Sequence, residues 1–305
     1  MQVKSIKNLD SYAVIKWRLT DGCVYECSYC IRRPQAYPSS TSVDYNRCLL
    51  SLPHINRIAE ELSRITGKPV KVDLIGGEPT IFNDLAVLIK GLDKTYIKKV
   101  NITSNFYRDN RYWEELLECG FPITATFSYH PEFCNESIES FCGRVKALCE
   151  KGLAYGKCES VLTQYAPHIE GFVNACKSFG LDYMVEGDLN NPRLKGIKQS
   201  LISKPGKPRY EVIDEAGNQH LFGTRNSFLK EYGANGNSVI TRDFLCSRNH
   251  DYVYVEWDSV VHCAKPAEHI SEFHVLESYN ICGRSETQMP MCTLCGNISI
   301  KHKSS

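Results

Sequence analysis

The feature that most constrains the fold is a regular alternation of short apolar runs and longer amphipathic runs between residues 13 and 187. The short runs are rich in β-branched residues and predict strands, whereas the longer ones predict helices. We predict strands at residues 13–19, 71–75, 99–103, 123–127, 159–163 and 182–185. We predict helices at residues 45–66, 83–92, 111–119, 138–151 and 169–178. Alternation of this kind indicates βαβ units and a parallel sheet, which binds ligands in the loops at the carboxyl ends of its strands.

The pattern changes after residue 187. Residues 188–210 contain three prolines, two glycines and six basic residues, a composition typical of a solvated connector. The alternative is a basic lid that attracts an anionic substrate. Two hairpins are predicted, at residues 210–213 with 220–222 and at 252–256 with 260–263, and a short helix near 226–232. We therefore divide the chain into a core (1–187), a connector (188–240) and a cysteine-rich C-terminal unit (241–305).

Charge and hydropathy exclude several classes of protein. The formal net charge is only +1, so the chain lacks the basic excess of a protein that binds nucleic acid backbone. Its N-terminus lacks the apolar segment of a signal peptide, and no run approaches eighteen apolar residues, so neither secretion nor membrane insertion is expected. We expect a cytoplasmic protein. Its fifteen cysteines should therefore bind metal or pack in the core rather than form disulfides.

Three cysteines follow the first predicted strand at the spacing C-x3-C-x2-C: Cys23, Cys27 and Cys30. A loop that curls around one centre can direct three thiolates at it. For zinc, three cysteines leave the tetrahedron incomplete. A cubane iron–sulfur cluster, in contrast, can be held through three irons and offer the fourth to a ligand.

The motif resembles the cysteine signature of the radical S-adenosylmethionine (SAM) enzymes, with Tyr29 as its aromatic residue. The second predicted strand ends in Gly76-Gly77-Glu78-Pro79, which is similar to the GGEP motif of that family. The resemblance implies an α/β fold with a partial (β/α)6 barrel over residues 13–187 and a [4Fe–4S] cluster that binds SAM. The cofactor-binding residues that it implies are Tyr29, Gly76, Gly77, Glu78, Pro79, Ser104, Asn105, Ser128 and His130.

The resemblance also implies a reaction. An electron passed through the cluster, from a donor such as flavodoxin or ferredoxin, would cleave SAM to methionine and a 5'-deoxyadenosyl radical. The radical would then abstract hydrogen from an unactivated C–H bond, with the protein supplying position and exclusion of water. The catalytic acid and base residues are not identified by the sequence.

Four further cysteines stand near the C-terminus: Cys246, Cys263, Cys292 and Cys295. The last two form a C-x2-C half-site for metal. Residues 252–263 resemble the hairpin of SPASM/twitch extensions, and the number of cysteines favours a twitch domain with one auxiliary [4Fe–4S] cluster. Cys282 is a possible substitute ligand, and a structural zinc site on the same cysteines is the alternative.

The remaining cysteines have no metal-binding spacing and are interpreted as buried packing residues. They are Cys48, Cys119, Cys134, Cys142, Cys149, Cys158 and Cys176. Glu159 and Glu186 stand near the last two predicted strands and are either solvated carboxylates or ligands of substrate or SAM.

The sequence therefore favours a radical SAM oxidoreductase, or a related radical-modifying enzyme, that acts on a small polar metabolite such as a sugar, aminocyclitol or nucleoside. One alternative is maturation of a ribosomally made peptide, although only about twenty residues precede the cysteine motif and leave no room there for a leader-binding domain. Another is a SAM- or zinc-binding interaction protein without catalytic activity. The retained cysteine motif and GGEP speak against the latter.

Overall fold

The computed structural model describes residues 3–30, 41–162, 168–187, 203, 210–214, 216–222, 252–255, 260–262 and 274–275. The strands, in chain order, are β1 (Val3–Asn8), β2 (Ala13–Arg18), β3 (Val70–Ile75), β4 (Ile97–Ser104), β5 (Ile123–Tyr129), β6 (Tyr155–Leu162), β7 (Asp182–Gly187), β8 (Tyr210–Asp214), β9 (Gln219–Phe222), β10 (Tyr252–Val255), β11 (Val260–His262) and β12 (His274–Val275). The helices are α1 (Thr41–Thr66), α2 (Leu85–Lys90), α3 (Asn110–Leu117), α4 (Ile138–Glu150) and α5 (His168–Ser178).

Strands β2 to β7 lie side by side in chain order, and every neighbouring pair is parallel. Within the described residues, one α-helix lies between each of these six strands and the next along the chain. The predicted α/β fold with six βαβ-linked strands is therefore confirmed. The strand ends differ most at β6, which begins at Tyr155, four residues before the predicted start, because Tyr155 pairs with Thr124 of β5.

The two predicted hairpins are present in the part of the chain that the structure describes. Strands β8 and β9 pair antiparallel, with Gly217 at φ +85° in their turn, and β8 also pairs with β1, a strand that the sequence pattern did not predict. Strands β10 and β11 pair antiparallel, and β10 adds to the large sheet parallel to β2. The second hairpin thus extends the core sheet, while the proposed division into three units stays a prediction. The predicted helix near residues 226–232 lies outside the described residues.

The core lies between the large sheet and its helices because both contribute apolar faces. Strand β3 alternates buried and half-buried residues, and Val70, Val72 and Leu74 are fully buried. Trp17 of β2 is also buried. None of the helices that the structure describes is long and apolar enough to cross a lipid bilayer.

Candidate functional site

A cavity of about 260 Å³ opens at the carboxyl edge of the sheet, where the loops after β2, β3, β4 and β5 meet. Ten of the residues predicted from the sequence line it: Cys23, Cys27, Tyr29, Cys30, Gly76, Gly77, Ser104, Asn105, Ser128 and His130. Parallel strands bring these residues together because all their carboxyl ends meet at one edge. The structure therefore joins the three cysteines to the strand-end residues that the sequence placed far apart.

Two of the residues predicted to bind the cofactor, Glu78 and Pro79, do not line the cavity. Glu78 is fully buried and Pro79 begins a short 3-10 helix over Pro79–Ile81. Their direct contact with a cofactor stays a prediction. The C-terminal metal-ligand candidates Cys246, Cys263, Cys292 and Cys295, and also Cys282, lie outside the described residues.

Gly76 and Gly77 bring the loop after β3 into backbone contact with the loop that leads to the cysteines. The Gly77 N–H donates to the Thr20 carbonyl over 2.8 Å, and the Glu78 N–H donates to the Gly22 carbonyl over 2.8 Å. A Cβ at Gly77 would lie 2.1 Å from the Gly22 oxygen, and one at Gly76 would lie 2.5 Å from the Thr20 oxygen. Both positions need glycine because the two backbones approach so closely.

Glu78 joins the loop after β3 to the end of β4. Its Oε1 accepts hydrogen bonds from the Thr80 N–H at 2.9 Å and the Thr80 hydroxyl at 2.6 Å, and its Oε2 accepts from the Asn105 N–H at 2.6 Å. Burial raises the pKa of this carboxyl, while the donors from Thr80, Asn105 and Ser104 oppose that shift. Glu78 thus fixes the position of Asn105 on the cavity wall.

The chain turns sharply after Asn105, because Phe106 has a φ of +60°, a left-handed conformation that is strained for a non-glycine residue. The Phe106 side chain is buried against Trp113, Phe127 and Phe141. This packing offsets the backbone strain. It holds the turn that keeps Asn105 facing the cysteine loop.

The segment after β5 also contacts the cysteine loop. The Glu132 carboxylate accepts hydrogen bonds from the Ser28 N–H at 2.8 Å and the Ser28 hydroxyl at 2.5 Å. The Tyr29 hydroxyl and His130 Nδ1 form a hydrogen bond of 2.9 Å, and the two rings stack. Burial lowers the pKa of His130 to about 4, so the imidazole is neutral at pH 7. We name Ser28, Tyr29, His130 and Glu132 the loop clamp.

The thiols of the cysteine loop are in a site that suits a metal centre better than free thiolates. Desolvation by the surrounding loops raises the pKa of Cys23 to about 11, although its side chain is exposed, and burial raises that of Cys27 to about 12. A bound metal would reverse this by coordinating the thiolates. The Tyr25 N–H and the Asn105 side-chain N–H point at the Cys23 sulfur over 3.4 and 3.7 Å, as expected for donors that support a metal-bound thiolate.

Several residues of the site were missed or left open by the sequence. Glu186, which the sequence left open as either a solvated carboxylate or a ligand, lines the cavity, and so do Asp21 and Tyr25. Glu159 does not line it and lies 3.7 Å from Lys157. Glu132 carries no motif signal, because its role depends on a contact with Ser28 across 104 positions of the chain.

The interpretation of Cys142, Cys158 and Cys176 as buried packing residues is confirmed, but the structure adds a contact that the sequence did not predict. Their three sulfur atoms lie within 4.8 Å of one another. They lie on α4, β6 and α5, so their convergence follows from tertiary packing that no local spacing records. All three are fully buried.

Comparison with known proteins identifies the domain. Residues 17–151 match the family model of the Radical SAM superfamily, whose members use a [4Fe–4S] cluster and SAM. GTP 3',8-cyclase of Actinobacillus pleuropneumoniae serotype 5b is 31% identical over 232 residues, which cover 76% of this chain and 60% of that protein. GTP 3',8-cyclase of Synechococcus elongatus is 32% identical over 96 residues, covering 31% of this chain and 27% of that protein. The chain thus spans less than two thirds of the length of either relative.

The solved structure of Streptococcus suis SuiB has a similar fold. Its TM-score is 0.50 at 14% sequence identity, and the alignment covers 88% of this chain and 64% of SuiB. This similarity concerns the fold alone. The family match falls on the strands and loops that build the cavity, from β2 through the cysteine loop to α4. Residues 17–151, which contain the cysteine loop and the loops after β3, β4 and β5, thus match the radical SAM superfamily.

Proposed function

We propose that this protein binds a [4Fe–4S] cluster through Cys23, Cys27 and Cys30 and cleaves SAM reductively to modify a small polar molecule. The observation that carries the proposal is one cavity at the carboxyl edge of the sheet, lined by all three cysteines and by the ends of β3, β4 and β5. A cluster held by three cysteines keeps one iron open, and the strand-end residues lie where a ligand of that iron would sit.

The residues present fit such a cluster. The three thiols line a cavity that no side chain of the described residues fills, and N–H donors point at the Cys23 sulfur. Such donors offset the negative charge of metal-bound thiolates. When bound, the cluster and SAM would supply an electron and a 5'-deoxyadenosyl radical that takes hydrogen from the substrate.

The protein's own residues would bind and orient these groups. Gly76 and Gly77 hold the cavity wall against the cysteine loop. Asn105 and Ser128 offer polar atoms from the neighbouring strand ends. The loop clamp fixes the cysteine loop from the side of β5. The half-buried cavity would exclude bulk water from the reacting groups.

We propose a nucleoside or nucleotide as the foremost substrate class, with a sugar or aminocyclitol behind it and a peptide as the alternative. Two observations support this order. Glu186 places a carboxylate on the cavity, which can accept hydrogen bonds from hydroxyl or amino groups of a small polar ligand. The relative with the longest alignment given above is named for an activity on GTP. Flavodoxin or ferredoxin would donate the electron, and the need for reduced thiols would place the protein in the cytoplasm.

We propose further that Cys246, Cys263, Cys292 and Cys295 hold an auxiliary [4Fe–4S] cluster, with zinc as the alternative. Four thiolates can complete the ligand set of either a [4Fe–4S] cluster or a zinc ion. Total iron after reconstitution separates them: about eight irons per chain are expected with the auxiliary cluster, and about four without it. If the auxiliary cluster exists, alanine at Cys292 and Cys295 should spare SAM cleavage.

The test of the main proposal is SAM cleavage by the full chain. Protein reconstituted anaerobically with iron and sulfide, then given SAM and dithionite, should release 5'-deoxyadenosine. Alanine at Cys23, Cys27 or Cys30 should abolish the release because each removes a cluster ligand.

The matched control is Cys119→Ala. Cys119 is a buried cysteine outside the cavity, with its thiol 3.6 Å from the Ala86 carbonyl oxygen. This variant should cleave SAM as the unmodified chain does. An intact cluster with no 5'-deoxyadenosine would support the non-catalytic binding alternative instead.

A further inference from the structure

Three cysteines converge in the core at a place unrelated to the cavity. Cys142 of α4, Cys158 of β6 and Cys176 of α5 are all fully buried. The sulfur atoms of Cys142 and Cys176 lie 3.7 Å apart, and each sulfur of the three lies within 4.8 Å of the others. We name these residues the core thiol triad. None of them lines the candidate active site.

The spacing of the core thiol triad suits a single ion. Three thiolates bound to one ion at zinc–sulfur distances of about 2.3 Å stand about 4.0 Å apart when the ion lies in their plane. The separations in the triad are close to this value, at 3.7 Å for one pair and no more than 4.8 Å for the rest. An iron–sulfur cluster would need its ligands farther apart, since the cluster itself must lie between them.

The electrostatics of the core thiol triad also favour one thiolate. Hydrogen bonds with Cys158 and Cys176 lower the pKa of Cys142, and the hydrogen bonds with Cys142 and Cys176 raise the pKa of Cys158. A buried negative charge in an apolar core is costly unless it is paired with a cation. A divalent ion bound by all three thiolates supplies that cation and leaves the complex with one negative charge in place of three.

We propose that Cys142, Cys158 and Cys176 bind one thiophilic divalent cation of the zinc type through three sulfur atoms, so that the fourth position of its tetrahedron has no protein ligand among the described residues. Three S–H protons leave to solvent as three metal–sulfur bonds form, because a thiol that coordinates such an ion is deprotonated. The thiols are sealed from solvent, so the ion enters as the chain folds or through local opening. The bound ion would tie α4 and α5 to the sheet and stabilise the folded state.

The test is the zinc content of the full chain produced in zinc-supplemented medium and reconstituted anaerobically with iron and sulfide. After treatment with EDTA and gel filtration, the unmodified chain should retain about one more zinc ion per chain than Cys158→Ala or Cys176→Ala. Cys119→Ala, which removes a buried cysteine outside the triad, should retain the zinc of the unmodified chain.

Folding of each variant is checked by its thermal unfolding without metal. Equal zinc in the unmodified chain, the folded triad variants and Cys119→Ala would overturn the proposal. If neither triad variant folds, the unmodified chain decides by itself. Absence of EDTA-resistant zinc there overturns the proposal, whereas an X-ray absorption spectrum with three sulfur ligands to zinc supports it.

Discussion

Replacement of Gly77 by alanine should disturb both the stability of the protein and its cluster site. The new Cβ would lie 2.1 Å from the Gly22 carbonyl oxygen and 2.6 Å from that of Asp21. Ordinary contact begins near 3.4 Å, so the two loops must separate by about 1.3 Å. A shift of that size would break the hydrogen bonds from Gly77 to Thr20 and from Glu78 to Gly22, both now 2.8 Å long.

The cost can be worked from those contacts. Each lost backbone hydrogen bond contributes about 1 kcal/mol, and a buried donor left without a partner costs about 1–3 kcal/mol. We therefore expect the free energy of unfolding to fall by about 2–4 kcal/mol, measured by urea denaturation of the metal-free chain. Gly22 directly precedes Cys23, so iron content after reconstitution should fall as well.

Gly67→Ala is the matched control for this substitution. Gly67 has a φ of +66° and would place a Cβ in open space, so it carries backbone strain without a clash. Its replacement should cost about 1 kcal/mol and leave the iron content unchanged. The reasoning from loop contact would be refuted if Gly77→Ala kept a free energy of unfolding within about 0.5 kcal/mol of the unmodified chain and also a normal iron content.

Three further substitutions test the supports of the site. Glu132→Ala opens the loop clamp and should speed the loss of iron to a chelator about fivefold, equivalent to about 1 kcal/mol. Glu114→Ala, which removes a surface ion pair, should leave that rate unchanged, and equal rates for the two variants would argue against the clamp. Glu78→Gln should lower the free energy of unfolding by about 1–3 kcal/mol, because an amide N–H would face the Asn105 N–H; an unchanged urea midpoint would contradict this. Phe106→Ala should lower the free energy of unfolding by about 3–5 kcal/mol, and Phe106→Gly should lower it by about 1 kcal/mol less because glycine relieves the left-handed strain. The reverse order in urea denaturation would exclude strain at this turn.

The sequence predicted the fold well where local signals act alone. The six core strands and five helices arise from runs whose apolar spacing is visible within one segment. Strand β1 escaped because its sequence, VKSIKN, contains two lysines and its partner β8 begins about two hundred positions later. The early start of β6 escaped for a similar reason, since pairing with β5 rather than its own composition extends it to Tyr155.

The candidate site divides in the same way. Short motifs predicted Cys23, Cys27, Cys30 and the two glycines, which all line the cavity. The contact of Glu132 and the convergence of the core thiol triad depend on distances between elements that are remote in sequence. Such contacts follow from tertiary packing, and a single sequence carries no periodic signal for them.

The position of β10 connects the C-terminal part of the chain to the site. Because β10 runs parallel to β2, its carboxyl end lies at the same edge of the sheet as the loop that carries the cysteines. Val255 pairs with Trp17 near the end of β2. Leu19 stands two residues later, and the loop that carries the cysteines follows it. Val253, Tyr254 and Val255 are fully buried, so this added strand belongs to the core rather than to its surface. Loss of the β10 strand should therefore destabilise β2 and, through it, the loop that carries Cys23.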